Sequence, residues 1–338
     1  MADDAATPRN DRKVAVITGA SSGIGMATAL QFAEKGYDVV LAARRLEELQ
    51  DVARQCEEKG VSAMPILTDT SSDEAVHDLA REAIDSFGRI DVWINNAGVY
   101  LVGKFEELPL KDMQRLMDVN FFGYVHGSHS ALEQFKKQGY GTLINVASVN
   151  AAAPQPYVSI YSASKAAVRA MDESIRMELR LEGLDKQINV CTVFPAGIDT
   201  NLFQNGANYS GHRVRAIEPV YDPTYVAKRI YQLAEKPKRE KYVGPVGTLM
   251  ALQRTHMPGA YEKRVGKFTD VDLLADDPES PTVGNLYTPL PMNRGMRGGW
   301  RETRVRADHF NMATGAVLVA AIGLLGYGYY AARKRHGR

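Results

Sequence analysis

The sequence predicts an α/β protein built on a doubly wound, parallel sheet of about seven strands. Three observations carry that reading. Short apolar runs alternate with helical patterns over most of the chain, an alternation that gives parallel strands with helices on both faces. A glycine-rich stretch joins the first run to the first helix. Gly19, Gly23, Gly25, Arg44, Asp69, Asn95, Ser148 and Pro195 all fall at, or just past, the C-terminal end of a run. That rim is where such sheets bind ligands.

Length and composition set outer bounds. A chain of 338 residues exceeds the roughly 250–300 that one core usually reaches, so one large domain with a tail fits. The net charge of +1 and the mixed signs give no basic face of the kind a nucleic-acid partner needs. Cys56 and Cys191 stand far apart without metal-ligand spacing, which suits a reducing compartment. Met1–Arg12 carries acids and leads into no long apolar stretch. It reads as a short disordered leader, not a signal peptide.

The first strand is Lys13–Ile17, an apolar run closed by Thr18-Gly19-Ala20-Ser21-Ser22-Gly23-Ile24-Gly25 and then a helix to about Lys35. Glycines between a strand and a helix let backbone approach a pyrophosphate seated on the helix N-terminus. The spacing is GxxxGxG, not the GxGxxG of the usual dinucleotide fingerprint. The second strand, within Gly36–Ala43, ends where an acid would grip an adenosine ribose, but Arg44 and Arg45 follow instead. A guanidinium binds a 2′-phosphate through paired hydrogen bonds, which favours NADP over NAD. Helices over Leu46–Glu58 and Ser72–Phe87 flank a third strand, Ala63–Leu67. Asp69 beyond it either accepts from an adenine amino group or caps the next helix with Ser71 and Ser72. The fourth strand, Val92–Ile94, ends in Asn95-Asn96-Ala97-Gly98.

A single long helix is expected from about Leu110 to Gln138, with Asn120 in its interior, an unfavourable place for asparagine that suggests a polar task. His126 and His129, with no third ligand in sight, read as structural or surface residues. The strand-like run Thr142–Ala147 leads to Ser148, and 13 positions later comes Tyr161-Ser-Ala-Ser-Lys165. On a helix Tyr161 and Lys165 share a face. An ammonium beside a phenol favours the phenolate and would bring its pKa down from about 10, making Tyr161 a proton donor and acceptor. Tyr157 is followed four places on by Tyr161, not by a lysine. The sixth strand, Ile188–Phe194, is closed by Pro195-Ala-Gly-Ile198-Asp-Thr200. Asn201–Pro219 has no period and reads as a functional or mobile loop. A helix at Asp222–Glu235, a strand at Lys241–Val243 and a helical stretch at Gly247–Lys267, broken at Pro258-Gly259, follow.

TGASSGIG, NNAG, Asn120, Ser148, YSASK and the PAGIDT stretch together resemble the classical short-chain dehydrogenases/reductases, over about Lys13 to Val243. The resemblance implies a Rossmann-like fold and a catalytic tetrad at Asn120, Ser148, Tyr161 and Lys165. Tyr161 would be the general acid/base and Lys165 its pKa-lowering, ribose-binding partner. Ser148 would polarise the carbonyl, and Asn120 would hold a water that links the lysine to solvent. The cofactor would meet Thr18, Gly19, Ser21, Ser22, Gly23, Ile24, Gly25 and Arg44, with Asp69 and Asn95 at its adenosine half and Ile198 and Thr200 at its nicotinamide end. Ala196 departs from the family's usual Pro-Gly and would narrow the nicotinamide pocket. Likeness to the family also implies a homo-oligomer.

From about residue 276 to 311 prolines and glycines mark an irregular linker, after a catalytic domain at 13–275. Met312–Ala332 then runs 21 residues without a charge, about 31 Å as a helix, enough to cross a bilayer core. A basic tail, 333–338, closes the chain. The expectation is a single-pass membrane protein with its catalytic domain in the cytoplasm. It interconverts a ketone or aldehyde and an alcohol, of apolar character, with NADP(H) and no metal. The rival reading is a non-catalytic NADP(H)-binding sensor or scaffold at the membrane.

Overall fold

The computed structural model describes residues 11–292 and 294–301. Seven apolar runs pair as β1 (Val14–Thr18), β2 (Asp38–Ala43), β3 (Ala63–Leu67), β4 (Val92–Asn95), β5 (Gly141–Val146), β6 (Ile188–Pro195) and β7 (Glu240–Val243). All neighbours are parallel, in the order β3-β2-β1-β4-β5-β6-β7. The order reverses between β1 and β4, which opens a crevice at the C-terminal ends of those strands. Every residue of β1, β2, β4 and β5 is buried, which is why these runs lack the alternation of a half-exposed strand. Pro65 is tolerated because β3 is an edge strand.

Successive strand residues face opposite sides. Ala15, Ile17, Val39 and Leu41 pack with Phe32 of α1 (Gly23–Glu34), Leu49 of α2 (Leu46–Glu57) and distant Val226 and Ile230. Val14, Val16, Val40 and Ala42 pack on the other face with Leu79 of α3 (Asp73–Phe87) and with Ala131 and Phe135. Ser72 caps α3 by accepting from Ala75 N, and Gly88 ends it at φ 74°.

The expected helix over 110–138 is instead three pieces: α4 (Leu110–Met117), a wide π turn (Asp118–Phe122) and α5 (Gly123–Gln138). The π turn holds Asn120. A π turn inserts a residue into the helical repeat and re-aims the side chains around it. Beyond it come α6 (Ser159–Leu181), α7 (Pro223–Glu235), α8 (Pro245–His256) and α9 (Pro258–Asp272). The 201–219 loop is pinned at two places. Ala207–Asn208 pairs with Leu101–Val102, and His212–Val214 pairs with Leu274–Pro278.

Residues 279–298 are irregular, yet they are no free linker: they belong to the same compact unit as the sheet, which runs through Gly298, and Leu286 within them is fully buried. No helix among the described residues is long and apolar enough to cross a membrane. The apolar run at 312–332, the tail at 333–338 and residues 1–10 of the leader lie outside the described residues.

Candidate active site

The crevice begins where β1 turns into α1. The Thr18 hydroxyl accepts from the backbone N–H groups of Asn96 (2.9 Å) and Ala97 (3.1 Å), stitching the end of β1 to the turn after β4. Its side chain is therefore engaged within the fold, at the head of the glycine loop. That loop admits no side chain at its two tightest points. A Cβ on Gly25 would lie 2.1 Å from Gly19 O, and one on Gly19, at φ +67°, would lie 2.8 Å from Ala97 Cα. Gly23 packs beside Thr200, so the loop after β6 meets the glycine loop across the crevice. The Gly23 N–H donates to Gly295 O at 3.1 Å, and Gly295 also bridges Ser22. Ser21 is buried and its hydroxyl accepts from Arg45 at 3.3 Å; Ile24 packs into the core beneath.

Arg44 lies at the crevice, but its guanidinium already donates to three backbone carbonyls: Asn285 O (2.7 Å), Tyr287 O (3.0 Å) and Leu286 O (3.3 Å). Burial holds its pKa below the usual arginine value. Asp69 accepts from the Ser71 N–H (3.0 Å) and hydroxyl (2.8 Å) and pairs with Arg115 at 2.9 Å. Burial alone would raise this carboxyl, but the Ser71 and Arg115 bonds outweigh it and leave the pKa below the ordinary value. Its link to the next helix runs through this turn, while Ser72 supplies the cap. For Asn95 the side chain corrects the expectation. It points into the core, bonded to Trp93 Nε1 (2.8 Å) and Asn145 Oδ1 (2.8 Å). Its neighbour Asn96 reaches the glycine loop, donating to Thr18 O at 2.9 Å.

Asn120, Ser148, Tyr161 and Lys165 are all buried and converge beyond β4 and β5. Asn120 clasps the backbone of Val99, accepting from its N–H at 2.8 Å and donating to its carbonyl at 2.9 Å. Ser148 starts the short turn after β5, its hydroxyl accepting from Asn150 N at 3.2 Å, and lies near the Tyr161 phenol, whose pKa it draws down against burial. The Tyr161 ring stacks edge-on against Tyr100 at 4.9 Å, inside an apolar cluster with Val99, Val158 and Leu286.

The expected Tyr161–Lys165 pairing takes a different form. Lys165 Nζ donates to Tyr124 Oη (2.9 Å) and Val146 O (3.1 Å) and sits 4.3 Å from the Tyr124 ring centre. Burial brings the Lys165 pKa down to about 7. Burial also raises the Tyr161 phenol, with only the nearby Ser148 side chain opposing. The acidified phenol of the sequence reading is thus a phenol that keeps its proton at neutral pH. Desolvation disfavours both charged forms here.

At the far end Ile198 is buried in a two-residue strand, Gly197–Ile198, paired with Val220–Tyr221. The Thr200 N–H turns back to Ile198 O at 2.8 Å. Ala196 extends the β6–β7 ladder through its N–H to Val243 O (3.2 Å), and its methyl joins the Phe194 cluster. His126 bonds Thr70 O at 3.0 Å, and no cluster of three metal-ligating side chains exists among the described residues. Burial pushes the Cys191 thiol up to about 11 and Cys56 to about 12, which leaves both unreactive.

Tyr124, Arg115 and Asn96 also pack at this rim, and the sequence did not single them out for a role. Tyr124 had a legible signal, standing four positions after Asn120. Arg115 had none, since its partner Asp69 lies in a different helix–strand unit.

The short chain dehydrogenase family model matches residues 13–209. The uncharacterized oxidoreductase YxnA of Bacillus subtilis (strain 168) is 34% identical over 328 residues, spanning 96% of this chain and 91% of the relative. An uncharacterized oxidoreductase of Staphylococcus aureus (strain USA300) is 38% identical over 190 residues, 56% of this chain and 80% of its own. Among solved structures, a short-chain dehydrogenase/reductase from Burkholderia phymatum in complex with NAD aligns with TM-score 0.68 at 26% identity, covering 75% of this chain and 96% of that one. An alcohol dehydrogenase from the archaeon Thermococcus sibiricus complexed with 5-hydroxy-NADP aligns with TM-score 0.60 at 27% identity, covering 69% and 95%. With its glycine loop, its wound sheet and these relatives, the chain belongs to the short-chain dehydrogenase family of oxidoreductases.

Proposed function

We propose that the protein interconverts a ketone or aldehyde and an alcohol with NADP(H), using Tyr161 as general acid/base. The observation that carries this is the gathering of buried Ser148, Tyr161 and Lys165 beyond the strand ends, at the rim where the glycine loop lies. The residues fit a dinucleotide. The cradle between Gly19 and Gly25 excludes any Cβ, the Gly23 N–H already seats an acceptor oxygen, and Arg44 and Arg45 flank the loop. The bound nicotinamide supplies or receives the hydride. Ser148 orients the carbonyl oxygen, and Tyr161 gives it a proton in reduction. A phenol kept protonated by burial suits that donor role. Lys165, titrating near neutrality under the same roof of side chains, is the adjacent proton reserve.

The surroundings of Tyr161 support an apolar substrate: Tyr100, Leu202, Phe203 and Ile217 line its cluster. The test is NADPH oxidation across carbonyls of increasing chain length, with turnover expected to rise with length. Good reduction of small soluble ketones alone would refute the apolar reading. Cofactor fluorescence changes with no turnover anywhere in the panel would point to a sensor.

Two further outcomes belong to this reading. Arg44→Ala is expected to weaken NADPH about 10- to 100-fold, the scale of losing charge-assisted hydrogen bonds, and to leave NADH nearly unchanged in calorimetric titration. Equal losses would remove Arg44 from phosphate recognition. We also propose 312–332 as a membrane anchor holding the catalytic domain in the cytoplasm, on sequence grounds. Full-length protein should stay in the membrane pellet through an alkaline wash, and its release would end that proposal.

A further inference from the structure

We infer that the stretch Thr282–Tyr287 competes with the cofactor's 2′-phosphate for Arg44 and so sets how strongly the enzyme prefers NADP(H). This rests on the reading that Arg44 is the phosphate-binding residue.

The stretch is seated by its backbone. Thr282 and Asn208 exchange N–H···O bonds of 2.9 Å each, and Asn285 N donates to Asn205 O at 2.9 Å. Leu286 is fully buried beside Val99 and Tyr100. This fixes three consecutive carbonyls, those of Asn285, Leu286 and Tyr287, on the Arg44 guanidinium at 2.7–3.3 Å. Arg115 Nε also donates to Leu286 O at 3.0 Å. Arg44 is thus already occupied by neutral acceptors.

Seating is not free of penalty: the buried Asn285 side-chain oxygen finds no hydrogen-bond partner among the described residues, an unfavourable state. A phosphate offers charge-assisted, two-pronged bonds to a guanidinium, roughly twice as strong as neutral ones. It can therefore displace the carbonyls, whereas the 2′-hydroxyl of NAD(H) has no such call on Arg44. Only the phosphorylated cofactor bears the displacement. If the stretch is seated about nine-tenths of the time, apparent NADP(H) affinity is about tenfold below that of the freed site.

Hydrogen exchange on the full-length protein tests this without any variant. The amides of 282–287 should exchange faster when 2′,5′-ADP is added and stay unchanged with 5′-ADP. Slower or unchanged exchange with 2′,5′-ADP would overturn the inference. The variant arm uses Gly284→Ala. Gly284 has φ +50°, and a Cβ there would lie 2.5 Å from Asn205 O and Gly206 O, so the stretch cannot seat. NADPH should bind about five- to tenfold tighter and NADH within twofold of wild type, with Leu286→Ala as the milder substitute if Gly284→Ala does not fold. Unchanged NADPH affinity in a folded variant overturns the competition. Arg44→Ala separates the two levels: if it weakens both cofactors alike, the phosphate reading itself is wrong. If it weakens NADPH selectively while freeing 282–287 has no effect, the competition alone is wrong.

Discussion

Tyr161→Phe is expected to lower kcat for carbonyl reduction by about 10²–10⁴-fold, the usual contribution of a positioned general acid, with cofactor affinity nearly unchanged. The substitution removes one hydroxyl from an apolar cluster and leaves the ring against Tyr100, so the fold should persist. Stopped-flow turnover and cofactor titration on the same preparation check both halves. Equal activity in wild type and variant would take Tyr161 out of the mechanism. The pH behaviour adds a sign. Burial raises the phenol above its ordinary value of 10.0, so reduction retains its proton donor across neutral pH. Alcohol oxidation, which needs the phenolate, should quicken as pH rises.

Lys165→Met should abolish most activity and make the protein more stable at neutral pH. Lysine is protonated in the unfolded chain up to its ordinary 10.5, but only up to about 7 in the fold. Between those values the unfolded state binds the extra proton, so wild-type stability rises with pH across the window and the full penalty applies below it. At ~1.4 kcal/mol per pH unit, the gain from methionine is capped at about 5 kcal/mol below pH 7 and fades towards pH 10.5. Lost bonds to Tyr124 and Val146 reduce it. Urea melts at pH 6.5 and 10 would show a large difference at the first and a small one at the second. A variant less stable at both would mean that Lys165 supports the fold, and that its burial is not a penalty.

The sheet was legible because its central strands are buried on both faces and therefore written as unbroken apolar runs, each closed by a glycine or polar turn. Ser148 was legible as a strand end and Tyr161 and Lys165 as one helical repeat apart, whereas Asn120, inside a helical segment, stood out only as an asparagine in an unfavourable place and through the family resemblance. What could not be read is what tertiary contact decides. The break at Asp118–Phe122 follows from Asn120 clasping the Val99 backbone, a partner 21 positions away. Lys165 shares a helix face with Tyr161 but is drawn to Tyr124 and a carbonyl of β5. Asn95 stands beside the crevice in sequence, yet its amide completes a core network with Asn145. Residues 279–298 look like a linker because they dock largely through backbone carbonyls, which every residue possesses and no composition betrays.

Arg44 and Tyr287 are 243 positions apart, and this separation orders events during synthesis. The last sheet strand ends at Val243, and the docked segment is finished only at Gly298. At roughly 5–20 residues per second of translation, the intervening chain takes roughly 3–11 s to emerge. For those seconds the three carbonyls that hold Arg44 do not yet exist on the chain. The segment that occupies Arg44 is thus the last part of the compact unit to be made, and the contact closes only after the whole sheet has been synthesised.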